Sequence, residues 1–297
     1  MDRDTRKAHE MGVRALGAFS GGLDGMIAAR ILLDQGIEVE LATFRSPFFS
    51  SADGRKAAGA MNLPWREVDF TDEIMKLLRD PPSGFGKNLN PCIDCHAAMF
   101  RMLGDLAREE GFDFIFSGEV LGQRPMSQNR NSLNRVANLS GYGRILLRPL
   151  SAGLLNETEP ERKGLVDRER LLDISGRGRK RQMKLAAEYG LVYRNPGGGC
   201  LLTERDYSRR LEVLLRIPGL FTPRNAELIK HGRFFRLSED TVCVIGRSEK
   251  DNKALESMVE DEVTYSLKNI PGPTGVLLGD ASMLPEMVRL VRRYAGL

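Results

Sequence analysis

The 297-residue chain has few residues of the types that mark specialised proteins: four cysteines, three histidines and one tryptophan. No stretch approaches the ~18 consecutive apolar residues that span a bilayer, and residues 1–12 are charged and lack the apolar core of a secretion signal. We therefore expect a cytoplasmic protein that does not enter a membrane. In such a chain four cysteines exclude a disulfide framework and favour metal, cluster or redox chemistry, provided that their spacing suits it.

What the chain does contain is enough apolar sequence for a proper core. Hydrophobic residues make up 41% of the positions and charged residues 28%, which predicts an ordinary soluble protein of two or three units. The net charge of +4 is mild, so it permits a polyanionic partner without demonstrating one.

The most informative segment is a small-residue loop between an apolar run at residues 13–19 and a helical pattern at residues 23–35. Consecutive small residues let several backbone N–H groups converge on one oxyanion, and the helix start adds a partial positive charge. The loop lacks the lysine of a Walker phosphate loop. It predicts a nucleotide clamp formed by Ser20, Gly21, Gly22, Leu23, Asp24 and Gly25.

The first half of the chain alternates strand-like and helix-like segments, which predicts a parallel sheet with helices on both faces. Ligands in such sheets lie at the carboxyl ends of strands. We therefore expect Ser20, the segment Phe44–Ser46 and Gly118 to cluster there. A helical basic segment is predicted at Ser175–Tyr189, and the sequence after Arg233 predicts a compact α/β or α+β unit. The predicted divisions are 1–150, a segment 151–220 and a C-terminal unit 221–297.

Three cysteines form the second candidate site. Cys92 and Cys95 stand at the start of a predicted helix with the spacing that lets two thiols face one atom, and Cys200 follows three glycines. Three thiolates can hold three corners of a [4Fe–4S] cluster, or the cysteines can pass a persulfide between them. A zinc site is disfavoured because His96 adjoins Cys95 and fits a shared tetrahedron poorly. Cys243, inside an apolar run, is predicted to be a core residue.

The residues Ser20 to Asp24 resemble the Ser-Gly-Gly-x-Asp-Ser signature of PP-loop ATP pyrophosphatases. Together with the Cys92/Cys95 segment and the Gly-Gly-Cys200 segment, in the same order, they resemble the tRNA thiouridine synthetases. The resemblance covers roughly residues 13–215 and implies an adenine nucleotide α-hydrolase-like, Rossmann-like fold. It departs from the family at Gly25, where serine is usual, and at Gly118-Glu119, where the 2-thiouridylases have Gly-His.

This resemblance implies a reaction in which ATP adenylates a uracil carbonyl oxygen and sulfur then displaces AMP. By analogy, Ser20–Gly25 holds pyrophosphate, Phe44 lies near adenosine and Gly118 backs the nucleotide pocket. Asp24 either caps the helix or binds Mg²⁺ through water. The implied sulfur donor is sulfide or a persulfide carrier, and the implied sulfur residues are Cys92, Cys95 and Cys200.

Two regions are candidates for binding RNA. The basic residues between Arg162 and Lys184 are predicted either to contact phosphates or to form a solvated face with ion pairs between successive turns. The C-terminal unit resembles the RNA-binding module of NFACT proteins at Gly246-Arg247, Asn252 and Ile270-Pro271-Gly272, with Ser248 in place of the usual asparagine.

The sequence thus predicts an ATP-dependent tRNA sulfurtransferase with an ATP site, Mg²⁺, a [4Fe–4S] cluster and a C-terminal RNA-binding unit. Two other functions stay open. One is ATP-dependent insertion of sulfur or nitrogen into a small molecule, which needs no RNA. The other is a redox-sensing RNA-binding protein whose nucleotide loop is degenerate, an interpretation that Gly25 favours.

Overall fold

The computed structural model describes residues 12–193 and 199–297, and the described residues divide into two compact units. The first lies within Met1–Gly86 and Pro91–Gly199, and the second within Lys87–Asn90 and Cys200–Leu297. This division falls inside the segment 151–220 that the sequence analysis kept separate. In the described part of the chain, no helix is both long enough and apolar enough to cross a membrane.

The first unit contains a parallel sheet. Its strands, in chain order, are Arg14–Ala18 (β1), Glu38–Arg45 (β2), Trp65–Asp69 (β3), Phe114–Ser117 (β4) and Leu146–Leu147 (β5). Across the sheet the order is β3-β2-β1-β4-β5, and each neighbouring pair is parallel. The predicted α/β class is confirmed. Because the chain moves to one side of β1 first and to the other side later, the strand order reverses between β1 and β4, which is where open α/β sheets bind ligands.

Helices of the first unit are Leu23–Leu33 (α1), Ala52–Ala60 (α2), Thr71–Arg79 (α3), Cys92–Glu110 (α4), Arg130–Ser140 (α5), Glu159–Arg162 (α6) and Lys180–Glu188 (α7). The predicted helix at Ser175–Tyr189 begins only at Lys180, since Gly176 has a φ of +82° that an α-helix does not accommodate. Helix α5 lies in a polar stretch for which no helix was predicted. Its N-cap residue is Asn129, whose side chain accepts a hydrogen bond from the backbone N–H of Ser132.

The centre of the first unit's core forms where α1 packs on β1. Ala15 and Ile27 are completely buried there. Gly17 of β1 has no side chain because the ring of Phe116 on β4 occupies the space: a Cβ at Gly17 would lie 2.4 Å from the Phe116 Cζ. Close packing at these positions fixes the spacing of β1 and β4 and therefore the position of the two strand ends.

The second unit is α+β, as predicted. Its strands are Arg233–Arg236 (β6), Val242–Ile245 (β7), Val263–Tyr265 (β8) and Gly275–Leu278 (β9), and its helices are Arg205–Arg216 (α8), Pro223–Leu228 (α9), Glu249–Met258 (α10) and Leu284–Tyr294 (α11). The sheet is antiparallel in the order β6-β7-β9-β8. The predicted core role of Cys243 is confirmed, because its side chain is completely buried in a cluster with Met287 and Val291 of α11.

Candidate functional site

The small-residue loop follows β1 and leads into α1. The Phe19 N–H donates to the Ala42 carbonyl at 2.8 Å and continues the sheet pairing to the edge of the loop. Beyond it Ser20 and Gly22 are exposed. Gly22 is the N-terminal cap residue of α1, with extended backbone and no side-chain cap. The backbone N–H groups at the start of α1 therefore lack a side-chain acceptor, which is the condition for anion binding at a helix N-terminus.

Gly21 gives the loop its sharp bend. Its φ is +77°, and a Cβ at this position would lie 2.4 Å from the carbonyl oxygen of Asp53 in α2. Both the positive φ and the close backbone approach exclude a side chain here. The loop is thus packed directly on the first turn of α2.

Gly118 closes the loop from the other side. Ala18 and Ser117 are aligned in the pairing of β1 with β4, so the chain leaves both strands at the same level. A Cβ at Gly118 would lie 2.4 Å from the backbone nitrogen of Gly25 and 2.6 Å from the carbonyl carbon of Asp24. The structure therefore brings the loop and Gly118 together, backbone against backbone, at the point where the strand order reverses.

We expect Gly118→Ala to lower the free energy of unfolding by about 2 kcal/mol, because the added methyl group overlaps backbone atoms that cannot rotate away. The matched control is Gly59→Ala in α2, where a Cβ meets nothing within 4 Å. This control should raise stability by about 0.5–1 kcal/mol, the ordinary gain for alanine in a helix. Urea unfolding of both variants measures the difference. Equal effects would contradict the packing of Gly118 against α1.

Asp24 makes contacts that the sequence did not predict. Its Oδ2 accepts a hydrogen bond from the Gln123 Nε2 at 2.9 Å and lies 3.9 Å from the Arg179 Nη2. Its Oδ1 is buried and has no hydrogen-bond partner among the described residues. Of the two roles left open for Asp24, helix capping is not observed, since Gly22 is the cap residue and no side chain caps the helix. Leu23 beside it is buried in the core.

Phe44, predicted near adenosine, is at the carboxyl end of β2 with its side chain buried. Its ring packs edge-on against Phe70, with 5.7 Å between the ring centroids. A ligand at this end of β2 therefore meets backbone atoms of Phe44 rather than its ring. Ser46, two residues on, already accepts a hydrogen bond from the Phe48 N–H through its Oγ.

Glu119 forms a buried ionic network that the sequence analysis did not anticipate. Its Oε2 accepts a hydrogen bond from the Arg148 Nε at 2.8 Å, and its Oε1 lies 2.9 Å from the His96 Nδ1. Glu119 and Arg148 are both less than a tenth exposed. Burial on its own raises the pKa of the Glu119 carboxyl, but the Arg148 charge and the His96 contact outweigh burial and lower this pKa to about 2. The signal in the sequence was an acidic residue directly after the glycine that ends a buried strand.

The cysteine pair stands on the first turn of α4, as predicted. Cys95 is buried and Cys92 is partly buried. Asp94 between them accepts hydrogen bonds from the backbone N–H and the Oγ of Ser83 and thereby fixes the preceding loop. His96 is four residues after Cys92, so the two side chains belong to the same helix face.

Cys200 belongs to the second unit. Its carbonyl accepts a hydrogen bond from the Thr203 Oγ1 at 2.7 Å, and the Thr203 carbonyl accepts one from the Asn88 Nδ2 at 2.7 Å. Asn88 is four residues before Cys92 in the chain. Searching residues 12–193 and 199–297 finds no group of three or more His, Cys, Asp or Glu side chains that could hold a metal ion. The predicted cluster ligation by three cysteines stays a prediction.

Most of the basic side chains between Arg162 and Lys184 have partners within the protein. Lys163 and Lys184 pair with carboxylates one turn away, and Arg181 pairs with Asp173 at 2.7 Å. These contacts match the solvated face with ion pairs. Arg177 and Lys180 differ, because both are exposed and neither has an ion-pair partner among the described residues.

In the second unit, one side chain joins the segments that carry the NFACT resemblance. The Asn252 Oδ1 accepts a hydrogen bond from the Thr274 N–H at 3.0 Å, and its Nδ2 donates to the Gly272 carbonyl at 3.1 Å. A Cβ at Gly246 would lie 2.0 Å from the Asn252 Oδ1. Ser248, the departure from the usual asparagine, accepts from the Asp251 N–H and caps α10. The three short motifs thus form one structural feature.

Comparison with known proteins gives two family matches. Residues 12–154 match the model described as thiamine biosynthesis protein (ThiI), and residues 232–296 match the model described as NFACT protein RNA binding domain.

Curated proteins and solved structures also match parts of the chain. A tRNA-specific 2-thiouridylase of Corynebacterium kroppenstedtii is 30% identical over 36% of this chain and 34% of its own length. One of Geotalea uraniireducens is 25% identical over 67% of this chain and 56% of its own length. The chain thus spans about a third to just over half of the relatives it matches. A structure described as a 4-thiouridine synthetase–RNA complex with bound ATP has a TM-score of 0.39 and 18% identity, over 60% of this chain and 51% of that one. Residues 12–154 are thus similar to the ThiI family and residues 232–296 to the NFACT RNA binding domain, and the two curated relatives are tRNA-specific 2-thiouridylases.

Proposed function

We propose that this protein is an ATP-dependent tRNA sulfurtransferase that adenylates a uridine carbonyl oxygen and replaces that oxygen with sulfur. The observation that carries the proposal is the uncapped small-residue loop, packed between α2 and Gly118 at the point where the strand order reverses. The loop has the chemistry of a phosphate site, and the ThiI-family match covers it.

In the first step the uracil carbonyl oxygen attacks the α-phosphorus of ATP, and the bond to the β-phosphate oxygen breaks. Pyrophosphate leaves with its negative charge, and the backbone N–H groups of Ser20–Gly25 and the start of α1 are the donors that stabilise it. The carbonyl oxygen is a poor leaving group until it is esterified. The first step makes it part of AMP.

Mg²⁺ is the cation that this step would use, and Asp24 fits it. The buried Asp24 Oδ1 has no hydrogen-bond partner among the described residues, and carboxylate oxygen is a preferred ligand of Mg²⁺. When bound, the ion would neutralise charge on the phosphates. The Gln123 amide, through its hydrogen bond to Oδ2, holds the carboxylate in one orientation.

In the second step sulfur attacks the activated uracil carbon, and AMP leaves with the original oxygen. With sulfide as donor, one sulfur replaces one oxygen and no further reagent is consumed. With a persulfide on one cysteine, a second cysteine must attack the sulfur–sulfur bond to release the product, and the resulting disulfide needs an external thiol reductant. Cys92, Cys95 and Cys200 are the residues we assign to this step.

An iron–sulfur cluster on the same three cysteines is a separate proposal. Neither step above passes through iron. Iron and sulfide analysis of protein purified without oxygen tests the cluster. Iron bound in the wild type and lost in each Cys→Ala variant would support it.

The proposed function is tested by incubating the protein, without oxygen, with ATP, Mg²⁺, sulfide and unmodified tRNA, and analysing the digested nucleosides by mass spectrometry. We expect a thiouridine that forms only when ATP is present. If ATP is cleaved to AMP without a thiolated nucleoside, and cleavage needs no RNA, the acceptor is a small molecule. If ATP is not cleaved with tRNA present, the protein is not this enzyme, and a redox-sensing RNA-binding role replaces it.

A further inference from the structure

The candidate phosphate loop has no cation of its own. Between Ser20 and Gly25 the only charged side chain is the acidic Asp24. Pyrophosphate leaving from ATP carries several negative charges, and backbone N–H groups alone supply only partial positive charge. Walker loops use a lysine of the loop itself in addition to Mg²⁺, so a loop without that lysine can take the corresponding side-chain cation from another segment.

Arg179 is the basic side chain that reaches this loop's helix. It precedes α7 and belongs to the first unit, like the loop. Its Nη2 lies 3.9 Å from the Asp24 Oδ2, which also accepts the Gln123 hydrogen bond. The distance is longer than that of a charge-assisted hydrogen bond, and the Arg179 side chain is 29% exposed, so its guanidinium retains hydrogen-bonding capacity toward a ligand.

A polar group without a hydrogen-bond partner among the described residues lies on the same segment. Gln182 is completely buried, and neither its Oε1 nor its Nε2 has a hydrogen-bond partner among the described residues. It is three residues after Arg179, so the two side chains start from the same side of α7. An unsatisfied buried amide is costly, so Gln182 marks a place beside Arg179 where a polar partner is missing among the described residues.

The residues on either side of Arg179 differ from it. Arg177 and Lys180 are exposed and have no ion-pair partner among the described residues, whereas Arg179 is only partly exposed and contacts Asp24. Gly178 separates Arg177 from Arg179, and Gly176 before them has a φ of +82°. One short segment therefore presents one arginine to the loop and two cations to solvent.

We propose that Arg179 is the cation of the phosphate loop and that it binds the pyrophosphate portion of ATP, while Asp24 holds the guanidinium in place before the nucleotide enters. This inference rests on the proposed function. Arg179 is a residue that touches the leaving group: as the bond between the α-phosphorus and the bridging oxygen breaks, its N–H groups bind the oxygens on which negative charge develops. Both ATP and an RNA backbone present phosphate oxygens to an arginine, and we assign Arg179 to those of ATP.

The test measures binding of inorganic pyrophosphate and of ATP by titration calorimetry, and binding of tRNA by fluorescence anisotropy at several salt concentrations. Arg179→Gln is expected to weaken pyrophosphate and ATP binding at least about tenfold, the loss expected for a charge-assisted hydrogen bond, and to leave tRNA affinity unchanged. The double variant Arg177→Gln, Lys180→Gln is expected to weaken tRNA binding and to leave pyrophosphate and ATP binding unchanged. Its tRNA affinity should also depend less on salt, by the amount expected for the loss of about two phosphate contacts.

Controls separate this inference from folding and from the proposed function. Arg108→Gln removes an exposed arginine of α4 that pairs with Asp105, and should change neither binding constant. Arg179→Lys keeps the charge and should recover part of the pyrophosphate affinity. If the wild type binds ATP and Arg179→Gln binds it equally well, or loses tRNA affinity instead, the assignment of Arg179 is wrong. If the wild type itself fails to bind ATP, the proposed function fails.

Discussion

Glu119→Gln is expected to lower the free energy of unfolding at neutral pH by about 3 kcal/mol. The carboxylate is buried and accepts a hydrogen bond from the Arg148 Nε at 2.8 Å, so a neutral amide in its place leaves a buried guanidinium without its counter-charge. Chemical unfolding of the wild type and the variant measures this loss. Adding Arg148→Met to Glu119→Gln should recover part of the stability, because the double variant buries no unpaired charge.

The effect of Glu119 should depend on pH in one direction. Its pKa is lowered to about 2 in the folded protein, whereas an unfolded glutamate titrates near ~4.3. A group with a depressed folded pKa stabilises the fold above its unfolded pKa, and this contribution disappears as the pH falls to the folded value. The stability difference between the wild type and Glu119→Gln should therefore be constant above pH ~5 and shrink between pH ~4.3 and pH 2.

Glu110→Gln is the matched control for Glu119. It makes the same chemical change in a carboxylate that pairs with Arg66 at the surface, where the Glu110 side chain is 38% exposed. Exposed ion pairs contribute little, so a loss below about 1 kcal/mol is expected. Equal losses in the two variants would show that burial is not what makes the Glu119 network important.

Cys92→Ala, Cys95→Ala and Cys200→Ala are each expected to reduce thiouridine formation at least about hundredfold, the scale of losing a residue that acts directly in the chemistry. The adenylation step uses other residues. A single-turnover burst of pyrophosphate from ATP and tRNA should therefore persist in all three variants. Loss of the burst together with thiolation would place that cysteine in nucleotide or RNA binding, and full thiolation would remove it from the sulfur step.

Cys243→Ala is the control for the cysteine series. Cys243 is buried in β7, and this burial raises the pKa of its thiol to about 12, so it is not a thiolate at neutral pH. Its truncation should cost about 1 kcal/mol of stability and leave thiouridine formation unchanged.

Local patterns in the sequence were enough to predict the parallel sheet of the first unit and the small-residue loop that follows β1. The loop, α1 and Gly118 follow from residue types next to one another in the chain. Helices α3 and α5 were not predicted. Helix α5 is rich in polar residues and depends on the Asn129 cap and on tertiary packing. The short strands β6 and β8 were missed for a similar reason, because pairing in the sheet rather than intrinsic propensity determines them.

The polar network was beyond sequence reasoning because its members come from separate segments. Glu119 is 23 residues from His96 and 29 from Arg148 in the chain. Asp24 and Gln123 are 99 residues apart. Their meeting depends on the parallel pairing of β4 with β1 and β5, a long-range property that residue spacing does not encode. The role of Arg179 was hidden in the same way inside a basic run whose other members mostly make surface ion pairs.

Phe19 and Gly25 form a pair whose substitutions depend on each other. A Cβ at Gly25 would lie 3.1 Å from the Phe19 Cδ2, closer than ordinary van der Waals contact, so a serine there would require the aromatic ring to shift by a few tenths of an ångström. Serine is the usual residue of PP-loops at this position. Phe19 and Gly25 thus belong to one unit of packing, and the fit of a serine at position 25 is decided by how far the Phe19 ring can move rather than by the chemistry of the loop alone.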